Sequence, residues 1–279
     1  MPLQKGAVFL ISGCSSGLGR AFAETALKHG YRVIATARKL ESIQDLKEKG
    51  ASILKLDTTS SPDELHAFAK EAWQIYGRID VLINNAGYLL GGAIEEASTQ
   101  ETLDQFSTLV FGVINVTSAF LPYLRKQGSG NIVNISSQVA VMDISGAGLY
   151  CAAKAAVDSL SGTWHKELAP FGINTISIQL GTFATSVASS DNVKVSAKHI
   201  PDYEGPHAWV KAFNAKSGTQ AGDAYKAAER IITLLEGDRT LPKRLPLGND
   251  AHKMVTASLE ASLKDCHEWK EASIGTNRN

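Results

Sequence analysis

The sequence predicts a doubly wound α/β protein, with a parallel sheet of about seven strands and helices on both faces. Three observations carry that prediction. Short runs rich in Val and Ile recur along the chain, longer stretches with helical signals separate them, and the first run leads straight into a glycine-rich turn that opens a helix.

Taken in order, the strands are expected at residues 7–12, 31–37, 51–56, 79–84, 131–135, 172–180 and, more weakly, 244–247. Ser61, Pro62 and Glu64 open one helix, as a hydroxyl cap, a first-turn proline and an acid three residues past the cap. Leu103, Phe106, Val110, Val113, Thr117, Phe120 and Leu124 line one face of another. Two more helices are expected over roughly 221–235 and 250–269, with the last five or so residues fraying. No linker or repeat interrupts the pattern, so residues 1–279 read as one domain. The exception is residues 181–218, which are polar and loop-like, with Pro201, Pro206, His199, Tyr203, His207 and Trp209 scattered through them. Within it, 185–217 is expected to be an irregular, mobile lid over an apolar pocket, with Tyr203 and Trp209 as substrate contacts.

Composition narrows the function. The 28 Lys+Arg balance 28 Asp+Glu, which leaves no basic field for nucleic acid. No apolar run approaches the roughly 20 residues of a membrane span, and the N-terminal run reads as a strand, not a signal peptide. Cys14, Cys151 and Cys266 are far apart with no CxxC, which suits a reducing compartment and a cytoplasmic protein. Cys14 and Cys151 are expected to be small buried thiols. The seven histidines show no HExxH or other ligand spacing, so no metal is expected.

Gly13, Ser15, Gly17, Leu18 and Gly19 form a GxxxGxG turn between strand and helix. Glycines there let the main chain approach a pyrophosphate, and the helix N-terminus supplies free N–H donors and positive dipole. The second strand ends at Arg38 and Lys39, where a site for the 2′-hydroxyl of NAD wants an acid. Two cations suit a 2′-phosphate, so the cofactor read from these residues is NADP(H). At the chemical end, Tyr150 and Lys154 share one helix face at i and i+4. An ammonium that close is expected to draw the phenol down from its ordinary pKa of about 10 toward useful proton transfer. Ser137 falls at a strand's C-terminal end, where such sheets place their ligands.

In family order, these residues resemble the short-chain dehydrogenase/reductases over essentially the whole chain. Ser12 with the three glycines is similar to TGxxxGxG, Asn84, Asn85, Ala86 and Gly87 to NNAG, and Ser137, Tyr150 and Lys154 to the catalytic Ser and YxxxK. The resemblance implies a Rossmann-type fold, a small-molecule substrate and room for a homo-oligomer. It implies that Tyr150 is the acid/base, that Ser137 positions a carbonyl and that Lys154 also holds the nicotinamide ribose. Asp57 would meet the adenine, Asn85, Ala86, Gly87 and Phe183 the cofactor, and Thr185 its carboxamide. The segment LPKRLPLGNDA, ending at Ala251, is similar to the branch with 17β-hydroxysteroid-dehydrogenase-like enzymes and hints at a bulky apolar substrate. The activity implied is NADPH-dependent reduction of a ketone or aldehyde, or the reverse oxidation. The alternatives are a non-redox isomerisation, dehydration or cyclisation, or cofactor binding without turnover. Ser12 replaces Thr but keeps a hydroxyl. Leu180 stands where the family has Pro, which suggests a looser strand end. Leu109 stands where it has a catalytic Asn, so either a proton relay is missing or Leu109 joins the core; Asn115 is too far round the helix to replace it.

Overall fold

The computed structural model describes residues 2–184, 192–216 and 219–278. Its first half runs β1 (Val8–Ile11), α1 (Gly17–Lys28), β2 (Arg32–Ala37), α2 (Gln44–Glu48), β3 (Ser52–Lys55), α3 (Pro62–Tyr76), β4 (Val81–Asn84), β5 (Leu89–Gly91), α4 (Thr99–Phe106) and α5 (Gly112–Gln127). The second half runs β6 (Gly130–Ser137), α6 (Gly148–Glu167), β7 (Ile173–Leu180), β8 (Phe183–Ala184), β9 (Val193–Val195), α7 (Glu204–Ala215), β10 (Gly222–Asp223), α8 (Ala224–Glu236), β11 (Arg244–Leu247), α9 (Asn249–Glu268) and α10 (Lys270–Ser273).

Seven of these strands form one sheet in the order β11-β7-β6-β4-β1-β2-β3, every pair parallel. Side chains alternate along β1: Phe9 and Ile11 join a core against α1, α2 and α8, whereas Val8 and Leu10 join one against α3, α5 and α6. Burial on both faces is why these strands read as continuous apolar runs and not as alternating ones. Because β1 pairs with β2 on one side and β4 on the other, strand order reverses there. The turns after β1 and β4 therefore open onto one crevice at the carboxyl edge, the place where such sheets bind ligands.

Local signals hold where they were explicit. Ser61 caps α3, its hydroxyl accepting from Glu64 N while Glu64 Oε2 accepts from Ser61 N, and Gly77 ends the helix in the left-handed region at φ 69°. Such a cap stabilises by about 1 kcal/mol.

Two expectations need correction, those for the apolar stripe and the lid. The expected apolar stripe holds from Val110 to Leu124, but Leu103 is half exposed. Residues Ser107–Phe111 form a π-helical turn, whose extra residue per turn swings α4 out of phase with α5. The continuous helical run Thr99–Gln127 is 29 residues long and holds an 18-residue window of mean hydropathy 1.4, enough to cross a membrane by length and composition alone, as a core helix also can be. Half of that window is buried, with Val113, Val116, Ala119 and Phe120 packed in the core beside α3. The lid is not irregular either: β9 pairs in parallel with β5, and α7 fills residues 204–215. Its prolines fall where they do not break these elements, Pro201 before α7 and Pro206 in its first turn. Residues 185–191 and 217–218 of that segment lie outside the described residues.

Candidate active site

The phosphate end is built from backbone. Gly13 and Gly17 take φ of 74° and 56°, open to glycine at no steric cost. Gly19 is fixed by space instead, since a Cβ there would sit 2.2 Å from the Gly13 carbonyl oxygen and 2.5 Å from Asn85 Nδ2. No side chain caps α1 at Ser16 and no acid lies in its first turn, so the helix N-terminus faces the cleft with its anion-binding character intact. Ser12 performs the work expected of a hydroxyl: its Oγ accepts from Asn85 N at 2.9 Å and Ala86 N at 3.0 Å. Asn85 Nδ2 donates back to the Ser12 and Gly13 carbonyls at 2.9 and 3.2 Å. Asn84 does not reach the cleft; buried, it donates to Thr117 Oγ1 and Asn134 Oδ1, tying β4 to α5 and β6.

Arg38 and Asp57 follow the ends of neighbouring strands β2 and β3 and line the same cleft. Burial alone would raise the Asp57 pKa, but hydrogen bonds from the Thr59 hydroxyl and N–H, with the charges of Arg38 and Lys55, bring it below the ordinary value.

At the other end, Ser137 closes β6, and Tyr150 and Lys154 share a face of α6. The Ser137 hydroxyl lies 3.4 Å from the Leu180 carbonyl and accepts from Val139 N at 3.4 Å, on the cleft wall that Tyr150 also lines. Lys154 Nζ donates to Ile135 O at 2.7 Å and sits 5.6 Å from the Tyr150 ring centre. The electrostatics run against the sequence expectation: burial pushes the Tyr150 phenol up to about 12, offset only in part by Ser137. Burial also brings the Lys154 ammonium down to about 8, although Asp158 pulls the other way. Desolvation disfavours both charged forms and is the largest cause of each shift. Asp158 in turn accepts from Ser177 and Gln179 Nε2 and forms an ion pair with Arg244, whose Nε lies 3.3 Å from Oδ2, which holds the buried carboxylate.

Both departures from the family pattern are accommodated. Leu109, in the π turn, is buried in a cluster with Val110 and Ala153 against which Tyr150 packs, while also lining the cleft. Leu180 does not loosen its strand: it is paired to Ser137 on one side and Leu247 on the other. Cys14 and Cys151 are buried thiols raised by that burial, Cys14 to about 12, which leaves them poor nucleophiles.

The cleft that joins the two ends measures about 1020 Å³. Its walls also carry the apolar side chains Val139, Met142, Ile144, Trp209, Phe213 and Met254, together with Lys194 and Lys216. Trp209 is thus where it was expected, stacked on Phe213 at 5.1 Å. Tyr203 is not: its hydroxyl donates to Glu95 Oε2 at 2.6 Å, away from the cleft. His199 and His207 are also off the cleft wall. Phe183 lines the cleft beside β10, and Thr185 lies outside the described residues. Sequence reading missed Phe213, whose i+4 spacing from Trp209 was a usable signal, and Asp250, whose Oδ2 accepts from Thr182 N and Oγ1 at 2.7 Å and fixes the turn after β7.

Residues 7–196 match the short chain dehydrogenase family model. An oxidoreductase of Botryotinia fuckeliana, BOA17, is 33% identical over 96% of this chain and 98% of its own. A 3-ketodihydrosphingosine reductase of Bacteroides thetaiotaomicron is 38% identical over 70% of this chain and 71% of its own. The crystal structure of a short-chain dehydrogenase from Streptomyces avermitilis superposes with a TM-score of 0.89 at 36% identity, covering 99% of this chain and 100% of that one. The protein therefore belongs to the short-chain dehydrogenase/reductase family of oxidoreductases.

Proposed function

We propose that the protein is an NADPH-dependent carbonyl reductase for a bulky, apolar ketone or aldehyde, able to run as an alcohol dehydrogenase in reverse. One observation carries the reading: a single cleft joins a glycine turn and Arg38 at one end to Ser137, Tyr150 and Lys154 at the other, with an apolar wall beyond. The residues fit a nicotinamide dinucleotide, because the cradle at Gly13 and Gly19 has no room for a Cβ and the α1 N-terminus offers donors to its phosphates. Arg38 meets a 2′-phosphate where an acid would repel it. Asn85, Ala86, Gly87, Phe183, Tyr150 and Lys154 line the rest of the binding length.

When bound, the nicotinamide supplies the hydride. This chain's residues supply the proton and the positioning. With its pKa at about 12, Tyr150 is a neutral phenol at neutral pH, hence a donor for the carbonyl oxygen as negative charge gathers on it. Ser137 lines the same cleft as that phenol, so one substrate oxygen can be held between the two hydroxyls. Lys154, an ammonium below about pH 8, stabilises the phenolate left behind. Val139, Met142, Ile144, Trp209 and Phe213 exclude water and favour an apolar body. The similarity to a 3-ketodihydrosphingosine reductase supports an apolar ketone. Leu109, packed in the cluster against which Tyr150 rests, supports a core role for that position. The free state of Cys14, Cys151 and Cys266 supports a cytoplasmic location.

The test is NADPH oxidation across a panel of long-chain and polycyclic ketones, with Tyr150→Phe as control. Turnover that needs Tyr150 and fails with short polar ketones supports the reading. Conversion of a substrate without net NADPH oxidation would overturn it.

A further inference from the structure

Away from the cleft, three side chains from two distant parts of the sequence converge on one point. Glu96 ends the short 3-10 turn Ile94–Glu96 and is buried, with Oε2 accepting from Ala93 N at 2.8 Å and Oε1 from Ile200 N at 2.7 Å. His207, in the first turn of α7, brings its Nε2 to 2.7 Å from the same Oε1. His199 Nδ1 lies 4.0 Å from it. The two imidazoles stack with centroids 4.1 Å apart and planes at 27°. One donor atom from each of the three residues lies within 4.8 Å of the other two.

The geometry points to a binding site for a divalent transition metal, zinc by its donor set, formed by Glu96, His199 and His207 and fastening the 192–215 segment to the loop after β5. Two imidazole nitrogens and one carboxylate oxygen are a set in which zinc keeps a fourth position for water, and imidazole disfavours magnesium and calcium. Zinc bonds of roughly 2.0–2.1 Å put tetrahedral neighbours roughly 3.3 Å apart. The observed 2.7 and 4.0 Å bracket that edge. His207 must withdraw by about 0.6 Å and His199 advance by about 0.7 Å. His199 is free to do so, because its side chain is 68% exposed, while Glu96 at 2% is a fixed anchor.

A carboxylate placed only to cap Ala93 and Ile200 needs neither histidine. The site also has a mechanical consequence. α7 carries Trp209 and Phe213 into the cleft, so an ion held at His207 fixes the substrate wall without touching the reacting groups. The motif is invisible to spacing rules, since the two histidines are eight residues apart and the Glu lies over a hundred residues upstream.

The experiment is calorimetric titration of zinc chloride into the chelator-stripped full chain near neutral pH. Wild type takes up one equivalent, and zinc raises its melting temperature. His199→Ala and His207→Ala each weaken uptake by at least about 10- to 100-fold and abolish the thermal shift. His267→Ala, a control on the exposed end of α9, leaves both unchanged. His199 is exposed, so its variant folds, as circular dichroism verifies. No saturable uptake by wild type, or uptake unchanged in His199→Ala, would overturn the proposal and leave Glu96–His207 as an ion pair alone.

Discussion

The cofactor end and the substrate end of this cleft are built by opposite means. Around Gly13, Gly17 and Gly19 the surface is main chain, held by a helix start, two strand ends and hydrogen bonds that run through Ser12 and Asn85. Around Trp209 and Phe213 it is side chain, presented by inserted segments that polar side chains pin in place. Gln105, fully buried, accepts from Leu90 N and donates to the Tyr88 carbonyl; Glu95 holds Tyr203; Asp250 holds Thr182. The lesson is that grip on the cofactor is rigid and intolerant of added atoms, whereas grip on the substrate can be re-tuned without disturbing it.

The largest effect separates chemistry from both grips. Tyr150→Phe should cut kcat by about 100-fold or more while NADPH affinity, read by fluorescence titration, stays nearly intact. Retention of more than about a tenth of kcat would show that another group delivers the proton. Arg38→Asp acts on the cofactor end alone: loss of a charge-assisted contact should weaken NADPH by about 10- to 100-fold and shift preference toward NADH. Equal NADPH and NADH affinities in the wild type would break that part of the comparison.

A pH profile probes the joint between the ends. Burial lowers the Lys154 pKa to about 8, so the ammonium is present below that value and lost above it. Reduction measured as kcat/KM should be level below about pH 8 and fall about tenfold per unit above it. An unchanged rate well above pH 8 would remove Lys154 charge from the mechanism. In stability, two glycines contrast. Gly19→Ala meets the Gly13 carbonyl and should cost about 1–3 kcal/mol in a thermal melt, with NADPH binding lost. Gly205, in the first turn of α7 with no atom within 4 Å of its added Cβ, should gain about 0.5 kcal/mol on Gly205→Ala.

The same division governs what was legible in the sequence. The sheet, its seven strands and the glycine turn were readable because two-sided burial and close backbone approach leave local marks: apolar runs such as Val8–Ile11 and glycines at fixed offsets. Tyr150, Lys154 and Ser137 were readable as a spacing, but not the electrostatics, since desolvation depends on which distant residues surround a phenol. Leu109 illustrates this, meeting Tyr150 only through the packing of the π turn on α6. The substrate side was read as irregular because its order is non-local. β9 exists through pairing with β5, and Tyr203 faces Glu95 across 108 residues. Asp250 was missed for the same reason, pairing with Thr182 across 68 residues, whereas Phe213 carried a local mark in its i+4 spacing from Trp209.

Independence of the two ends is tested most directly by one paired measurement on Trp209→Ala: the NADPH dissociation constant and the KM for the best ketone in the same preparation. KM should rise by about tenfold, the scale of 1–3 kcal/mol for a truncated aromatic contact, with the NADPH constant within about twofold of wild type. A loss of NADPH affinity that tracks the rise in KM would contradict the account, because it would mean that the substrate wall also holds the cofactor.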